Sequence, residues 1–292
     1  MEMDAQTRAN YEAWVRRRII KRVVLPAATL LILIIGIIAA LTSGDSEEEN
    51  QQAQQYQTCE ETECNEAEQT FNAQPTYEDF DFATYNELAV IEHTPAYLDS
   101  YLILVNKVFK LPAGYTPRDL TIPQVLTPWD QQNITLQLRE TAARALEDLF
   151  TAAFVEEGLT LWLVSGYRSY EDQIIKHQQF IDTHGYDIAQ RISAKEGHSE
   201  HQTGLAVDVT SASVGALLTE EFSNVPEGVW VRENAHRFGF IIRYPYRKMD
   251  LTGIGYEPWH LRYVGTTAAN EIFEQEVVLE QYVFPTPVWD QP

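Results

Sequence analysis

Between Val23 and Leu41 the chain carries no charged side chain, and this run divides it into parts that fold under different rules. The run is Val, Leu, Ile and Ala, with Pro26, Thr29 and Gly36 among them. As a helix it would span about 28 Å at about 1.5 Å per residue, close to the roughly 30 Å of bilayer hydrocarbon. Arg16, Arg17, Arg18, Lys21 and Arg22 precede it, and no Lys or Arg follows until Lys107. The positive-inside rule therefore puts residues 1–22 in the cytoplasm, residues 23–42 across the membrane and the rest outside the cell membrane. A cleaved signal peptide is the competing reading, and Leu41-Thr42-Ser43-Gly44 offers small residues for it. The apolar run and the polar lead are both long for a signal peptide, so an uncleaved single-pass anchor is the expectation.

Residues 43–84 are rich in Glu, Asp, Gln, Asn and Thr, with twelve acidic residues up to Asp81 and no basic ones. Such a segment buries too little apolar surface to offset its conformational entropy, and it is expected to be a disordered acidic linker. The formal net charge of the whole chain is -22, which argues against nucleic acid as a partner. Only two cysteines occur, Cys59 and Cys64, and no histidine cluster accompanies them. A cysteine zinc site is not indicated. A local disulfide is open to the pair under oxidising conditions, though so short a loop would be strained.

Folded structure is expected over residues 85–276. Tyr101 to Val105 reads as a short strand. Leu138, Ala142, Ala145, Leu146, Leu149 and Ala153 recur at helical spacing, and Gly158 ends that helix. Leu159 to Val164 is a compact apolar strand. Ser169 can cap a second helix with Asp172 three positions on, and Gly185 closes it. Leu205, Val207 and Val209 alternate with Ala206 and Asp208, as in a strand. Val231 to Phe238 reads as helix, and Phe240 to Tyr244 as strand. Helices and strands mix without regular alternation, so the expected class is α+β, one small single domain with a mainly antiparallel sheet flanked by helices. Residues 277–292 hold three prolines and little periodicity, and are read as a tail.

The chemistry concentrates in Ser199-Glu200-His201-Gln202-Thr203-Gly204-Leu205-Ala206-Val207-Asp208 and, about fifty residues on, Glu257-Pro258-Trp259-His260. Gly204 permits a tight turn between His201 and the strand. Asp208 points away from Leu205, Val207 and Val209, so those three can face the core while Asp208 faces a cleft. An unpaired buried carboxylate is costly. A metal, an arginine or a structural hydrogen bond would each satisfy it. Pro258 disfavours a helix interior, but a turn or bulge could set Glu257 and His260 on one side. His201, Asp208 and His260 would then leave one position of a tetrahedral metal open to water, with Glu257 beside it. Ser165-Gly166-Tyr167-Arg168-Ser169 lies between a strand and a capped helix. Arg168 there can steady an oxyanion or pair with one of the chain's many acids. Ser199 lacks a free base and reads as a hydrogen-bond donor to substrate. His93, His177, His184 and His236 lie among polar residues and read as exposed or capping; His198 reads as a neighbour of the site, not a ligand.

These residues resemble the zinc D-alanyl-D-alanine carboxypeptidases of the VanY type and the related LD-carboxypeptidases. The resemblance runs from about Leu102 to Gly265. It includes Leu104 to Lys107, Leu111-Pro112, Tyr115, Ser165 to Ser169 with Gln173, the block from Ser199 to Asp208, Phe238 to Pro245, and Glu257 to Gly265. It implies zinc held by His201, Asp208 and His260, and Glu257 as general base and then general acid. It further implies Arg168 on the scissile carbonyl, and Ser199 and Gln173 seating the peptide. Peptidoglycan stem peptides are the implied substrate. An endopeptidase of the same chemistry and a non-catalytic wall-binding or sensor module with a structural zinc are the alternatives, since the fold serves all of them.

Overall fold

A computed structural model of the chain describes residues 90–128 and 136–284. The expected membrane helix, the acidic linker and the Cys59–Cys64 pair lie outside the described residues. Among the described residues, no helix is long and apolar enough to cross a membrane.

Two minor strand pairs come first. β1 (Ile91–Glu92) runs parallel to β2 (Phe109–Lys110), and β3 (Leu120–Thr121) antiparallel to β4 (Leu138–Arg139). Helix α1 (Glu140–Glu157) follows and ends on Gly158 in the left-handed region, as the periodicity predicts. Strand β5 (Trp162–Ser165) leads to α2 (Tyr170–His184), α3 (Tyr186–Ile192) and β6 (Ala206–Thr210). Helix α4 (Pro226–Asn234), β7 (Phe240–Tyr244), α5 (Met249–Thr252), β8 (Glu257–Tyr263), α6 (Thr266–Gln275) and α7 (Leu279–Val283) complete the chain. The main sheet has the order β5-β6-β8-β7, and every neighbouring pair in it is antiparallel. The result is a mixed helix-and-sheet domain, in agreement with the expected class.

Helix α1 buries Ala142, Leu146, Leu149 and Ala153 of the stripe read from the sequence, and Phe150 beside them; Ala145 is half-buried, and Leu138 precedes the helix in β4. They join Leu163, Val207, Val209, Phe240 and Leu261 in one core. Leu205, Val207 and Val209 do face that core, and Asp208 lies on the opposite face. That opposite face is covered too, since all five residues of β6 are buried. Ser169 caps α2 by accepting from the Asp172 amide.

Four expectations shift. Residues 101–105 form turn and irregular chain, not a strand. Their carbonyls serve side chains instead of a ladder: Tyr101 and Ile103 accept from Arg262, and Leu104 accepts from His93. The helix expected from Val231 starts earlier, with Pro226 in its first turn, and a 3₁₀ turn from Ala235 to Phe238 carries it to Gly239. Pro258, read as a helix breaker, sits near the start of β8, where its missing N–H matters least. The pairing with β7 shifts register here, because the extra residues lie in β8, and Glu257 ends opposite Tyr244. Beyond residue 277, where little periodicity is visible, α7 buries Leu279 and Glu280.

Gly228 marks a close approach inside this packing. A Cβ at that position would lie 1.7 Å from the carbonyl oxygen of Phe222. Backbone cannot yield as a side chain tip can, so Gly228→Ala is expected to destabilise by about 3 kcal/mol or more, at the top of the range for overpacking. A drop in the urea midpoint with an unchanged m-value would register it.

Candidate metal and catalytic site

Sheet register builds the centre of the site. Asp208 on β6 stands opposite His260 on β8 and, on its other side, opposite Ser165 on β5. Directly opposed residues project to the same face about 5 Å apart. Asp208 and His260 therefore meet because of strand pairing alone. The 3₁₀ turn Glu200–Thr203 brings in His201, and Gly204, at φ +67°, closes that turn into β6. A Cβ at Gly204 would lie 2.9 Å from Leu120 Cδ2, so both the angle and the space select glycine.

His201, Asp208 and His260 are all buried, and their ligand atoms lie within 4.8 Å of one another. His201 Nε2 is 3.3 Å from Asp208 Oδ2, and His260 Nδ1 is 3.0 Å from Asp208 Oδ1. The two rings meet edge to face at 5.0 Å.

The outer contacts decide what this group is for. His201 Nδ1 is 2.7 Å from the carbonyl oxygen of Gly166, which can only accept. Nδ1 therefore carries the proton, and in the neutral ring Nε2 presents a lone pair to the Asp208 carboxylate. Burial outweighs the Asp208 charge and holds His201 down to about 4, so the ring is neutral at ordinary pH. An acceptor facing an acceptor in a buried site calls for a cation between them. His260 is fixed on its far side by Glu200, whose Oε2 lies 3.6 Å from Nε2. Neither atom has a hydrogen-bond partner among the described residues, so each is the other's nearest polar match. A carboxylate or carbonyl behind each imidazole is the usual support of a metal-binding histidine. The residues present thus fit a metal ion bound through His201 Nε2, an Asp208 oxygen and His260 Nδ1.

Without a metal, the charges settle differently on the two rings. Burial opposes charge on His260, but its hydrogen bond to Asp208 and the Glu200 carboxylate 3.6 Å from its far side prevail and raise it to about 9. Burial opposes the Asp208 charge, but the protonated His260 that donates to it prevails and holds it well below the carboxylate range. One proton on His260 therefore stands where a metal would take over the Asp208 charge.

Glu257 and Arg168 open into the same cleft, of about 400 Å³, together with Gln173, Ser199 and the metal-ligating group. Glu257 Oε2 is 3.8 Å from His260 Nδ1. Burial pushes its carboxyl up to about 7, with His260 pulling the other way. The Arg168 guanidinium donates to Gln173 Oε1 at 2.9 Å and to Ser165 Oγ at 3.1 Å. Burial lowers its pKa, while Asp208 and Glu257 oppose the shift from a distance. Both fixed partners of Arg168 are neutral, so its positive charge is carried into the cleft. Gln173 in turn donates to the Ala194 carbonyl at 2.6 Å. It acts on the site at least partly by holding Arg168. All seven residues expected at the site thus gather in one cleft.

The other histidines stay apart. His198 is tied to the Asn106 carbonyl at 2.7 Å and does not reach the metal-ligating group. His177, expected at the surface, is only 6% exposed, between Ser193 and Gln190. His236 stacks on Phe273 at 3.8 Å.

Sequence reasoning did not single out the support behind His260. Glu200 accepts from Arg243 Nε and Arg262 Nη1, both at 2.7 Å. Arg243 also makes a two-point contact with Glu280 of α7, at 2.9 and 2.6 Å. Arg243, Arg262 and Glu200 are at most 1% exposed. The available signal was an arginine inside each of the apolar strands Phe240–Tyr244 and Glu257–Tyr263, since such residues are rarely buried without a partner.

Comparison with known proteins agrees with this geometry. The model of the VanY family, D-alanyl-D-alanine carboxypeptidase, matches residues 135–266. YodJ of Bacillus subtilis (strain 168) is 45% identical over 184 residues, covering 63% of this chain and 67% of its own length. The structure of the LdcB LD-carboxypeptidase superposes with a TM-score of 0.62 at 43% identity, over 66% of this chain and 89% of that one. A variant of the vancomycin-resistance D,D-pentapeptidase VanY in complex with Zn(II) gives 0.52 at 34% identity, over 63% and 98%. With its sheet, its His–Asp–His group and these relatives taken together, the chain belongs to the VanY D-alanyl-D-alanine carboxypeptidase family.

Proposed function

We propose that this chain is a zinc carboxypeptidase that removes the C-terminal D-alanine from peptidoglycan stem peptides. The observation that carries the reading is that the buried His201–Asp208–His260 group opens into the same cleft as Glu257 and Arg168. The zinc in the VanY neighbour and the carboxypeptidase activity named for LdcB and VanY support it. His201, Asp208 and His260 are the metal ligands. A zinc ion held there supplies a Lewis acid that makes water acidic enough to attack near neutral pH and polarises a carbonyl.

The protein's own residues do the rest. Glu257 takes a proton from the attacking water as its oxygen bonds to the carbonyl carbon before the terminal residue. Arg168 donates to the carbonyl oxygen as negative charge grows there, and Gln173 and Ser165 hold the guanidinium in place. Glu257 then delivers its proton to the departing amine as the C–N bond breaks. Ser199, buried at the wall of the cleft, hydrogen-bonds the peptide.

The proposal extends to the whole chain. Residues 23–42 anchor it in the cell membrane with residues 1–22 in the cytoplasm, residues 43–84 form a spacer, and the catalytic domain outside begins at about residue 85 and includes α7, which docks into it. An anchor and a spacer suit an insoluble substrate beyond the membrane. The apolar run Val23–Leu41, with its basic flank, supports this arrangement.

The test is incubation with defined pentapeptide and tetrapeptide stems, with and without a chelator, and mass spectrometry of the products. Chelator-sensitive release of a single alanine is expected, and the stem consumed reports DD or LD preference. Release of a larger fragment would overturn it in favour of an endopeptidase, and binding without cleavage in favour of a wall-binding module.

Zinc binding itself should be linked to pH. His260 is raised to about 9 and must lose its proton to bind, whereas His201, near 4, has none to lose. Loading at pH 7 should therefore expel about one proton from this pair, and affinity should fall about tenfold per unit as pH drops below 9. Calorimetry in buffers of different ionisation enthalpy measures both.

A further inference from the structure

The catalytic cleft holds a second cation that neither the metal-ligating group nor the reaction uses. Lys176 lies on α2, three residues beyond Gln173, so the two share a face of the helix. It lines the same cleft as Arg168, Glu257, His201 and His260. Among the described residues it has no ion pair. Its ammonium rests over the ring of Phe180, 5.6 Å from the centroid. Burial lowers its pKa, and Arg168 adds to the effect, while Asp208 and Glu257 oppose it. Lys176 thus feels both the arginine and the carboxylates at the centre. Phe180, Ile192 and Leu218 give the cleft an apolar wall on which a small side chain can rest.

In a chain of formal net charge -22, a half-buried lysine without a carboxylate beside it is an unusual arrangement. Phe180 stabilises the charge only weakly. Arg168 is oriented by neutral partners toward the developing oxyanion, which leaves Lys176 as the remaining cation for a fixed negative charge on the substrate.

We propose that Lys176 is a substrate-binding and specificity-determining residue that pairs with a carboxylate of the bound peptide. The proposal rests on the peptidase reading above. A stem peptide can present that carboxylate from its free C-terminus or from an acidic side chain at its third residue. The chemistry at Lys176 is the same for both sources.

Binding separates the proposal from catalysis. Zinc-loaded full chain carrying Glu257→Gln would be titrated calorimetrically with four pentapeptides ending in D-alanyl-D-alanine. Each has either a free or an amidated C-terminus, and either diaminopimelate or lysine at the third position. The same titrations would be run with Lys176→Met and Lys176→Arg added. Lys176→Met is expected to weaken binding of the peptide with both carboxylates roughly tenfold, the value of one charge-assisted hydrogen bond. It should leave unchanged the peptide that lacks the carboxylate in question, and Lys176→Arg should retain most of the affinity. Loss of the effect on amidation identifies the C-terminus, and loss of it with lysine identifies the side chain.

Equal weakening of all four peptides would overturn the proposal and reduce Lys176 to packing on Phe180. Failure of every peptide to bind would overturn it as well. Carboxylate-dependent binding to Lys176, together with no turnover by the unsubstituted chain, would sustain this inference while removing the carboxypeptidase reading.

Discussion

Glu257→Gln should lower kcat by about 10²–10⁴-fold, the usual contribution of a general base, while zinc content stays at one ion per chain. Gln keeps the volume and a carbonyl oxygen but cannot take a proton from water or return one to the amine. Glu257 stands beside the metal-ligating group without belonging to it. The direction of the stability change distinguishes loss of the base from loss of the fold. The Glu257 carboxyl is raised from 4.5 to about 7, chiefly by burial. A raised carboxylate destabilises the fold once it is forced to ionise: the cost is absent below its unfolded pKa and complete above its folded one. The metal-free Gln variant should therefore match its parent near pH 4 and exceed it at pH 8, by up to about 3 kcal/mol. Denaturant midpoints at the two pH values measure this. In the parent enzyme, kcat/KM should fall on the acid side as Glu257 takes up a proton. The apparent pKa should lie at or below 7, because a bound cation favours the ionised form. Full activity in a zinc-replete Glu257→Gln protein would remove Glu257 from the base role.

Much of this site was legible because local rules placed its parts. Gly158 and Gly185 end their helices, Ser169 caps one, and the alternation around Asp208 fixes which way that carboxylate faces. The chemistry of the donor set then followed from residue type. What stayed hidden depends on pairing between distant segments. No local pattern reveals that β8 runs between β6 and β7, yet that order brings His260 opposite Asp208 and Glu257 opposite Tyr244. The segment 101–105 has strand composition, but Arg262 uses its carbonyls, and that arginine is more than 150 residues away. Helix α7 is short and is followed by three prolines, so its place is set by Leu279 and Glu280 docking into the domain. Lys176 has the spacing of an exposed residue on a polar helix, and only the fold turns it toward the cleft.

The buried charge chain behind His260 carries the second large effect. Glu200 is shared by Arg243 and Arg262, and Arg243 reaches on to Glu280. Burial works against the Glu200 charge, but the two arginines prevail and hold it well below the carboxylate range. Its stabilisation is therefore present above the ordinary carboxylate pKa and persists well into acid before protonation removes it. Glu200→Ala strands two guanidinium groups without their common acceptor, and should cost about 3–5 kcal/mol. Glu200→Gln keeps an acceptor oxygen and should cost less. Both variants also remove the carboxylate from His260 Nε2. Each should therefore weaken zinc binding about 10–100-fold, the usual effect of losing a partner behind a metal-bound histidine. Competition against a chromophoric chelator measures that directly. Glu280→Gln is the control that separates the two roles. It breaks the outer end of the same network, yet Glu280 is not in hydrogen-bond contact with either histidine ligand. It should lower the denaturant midpoint and leave zinc affinity unchanged. If Glu200→Gln and Glu280→Gln affected zinc affinity equally, the network would act on the site through general stability, and the orienting role of Glu200 would fall.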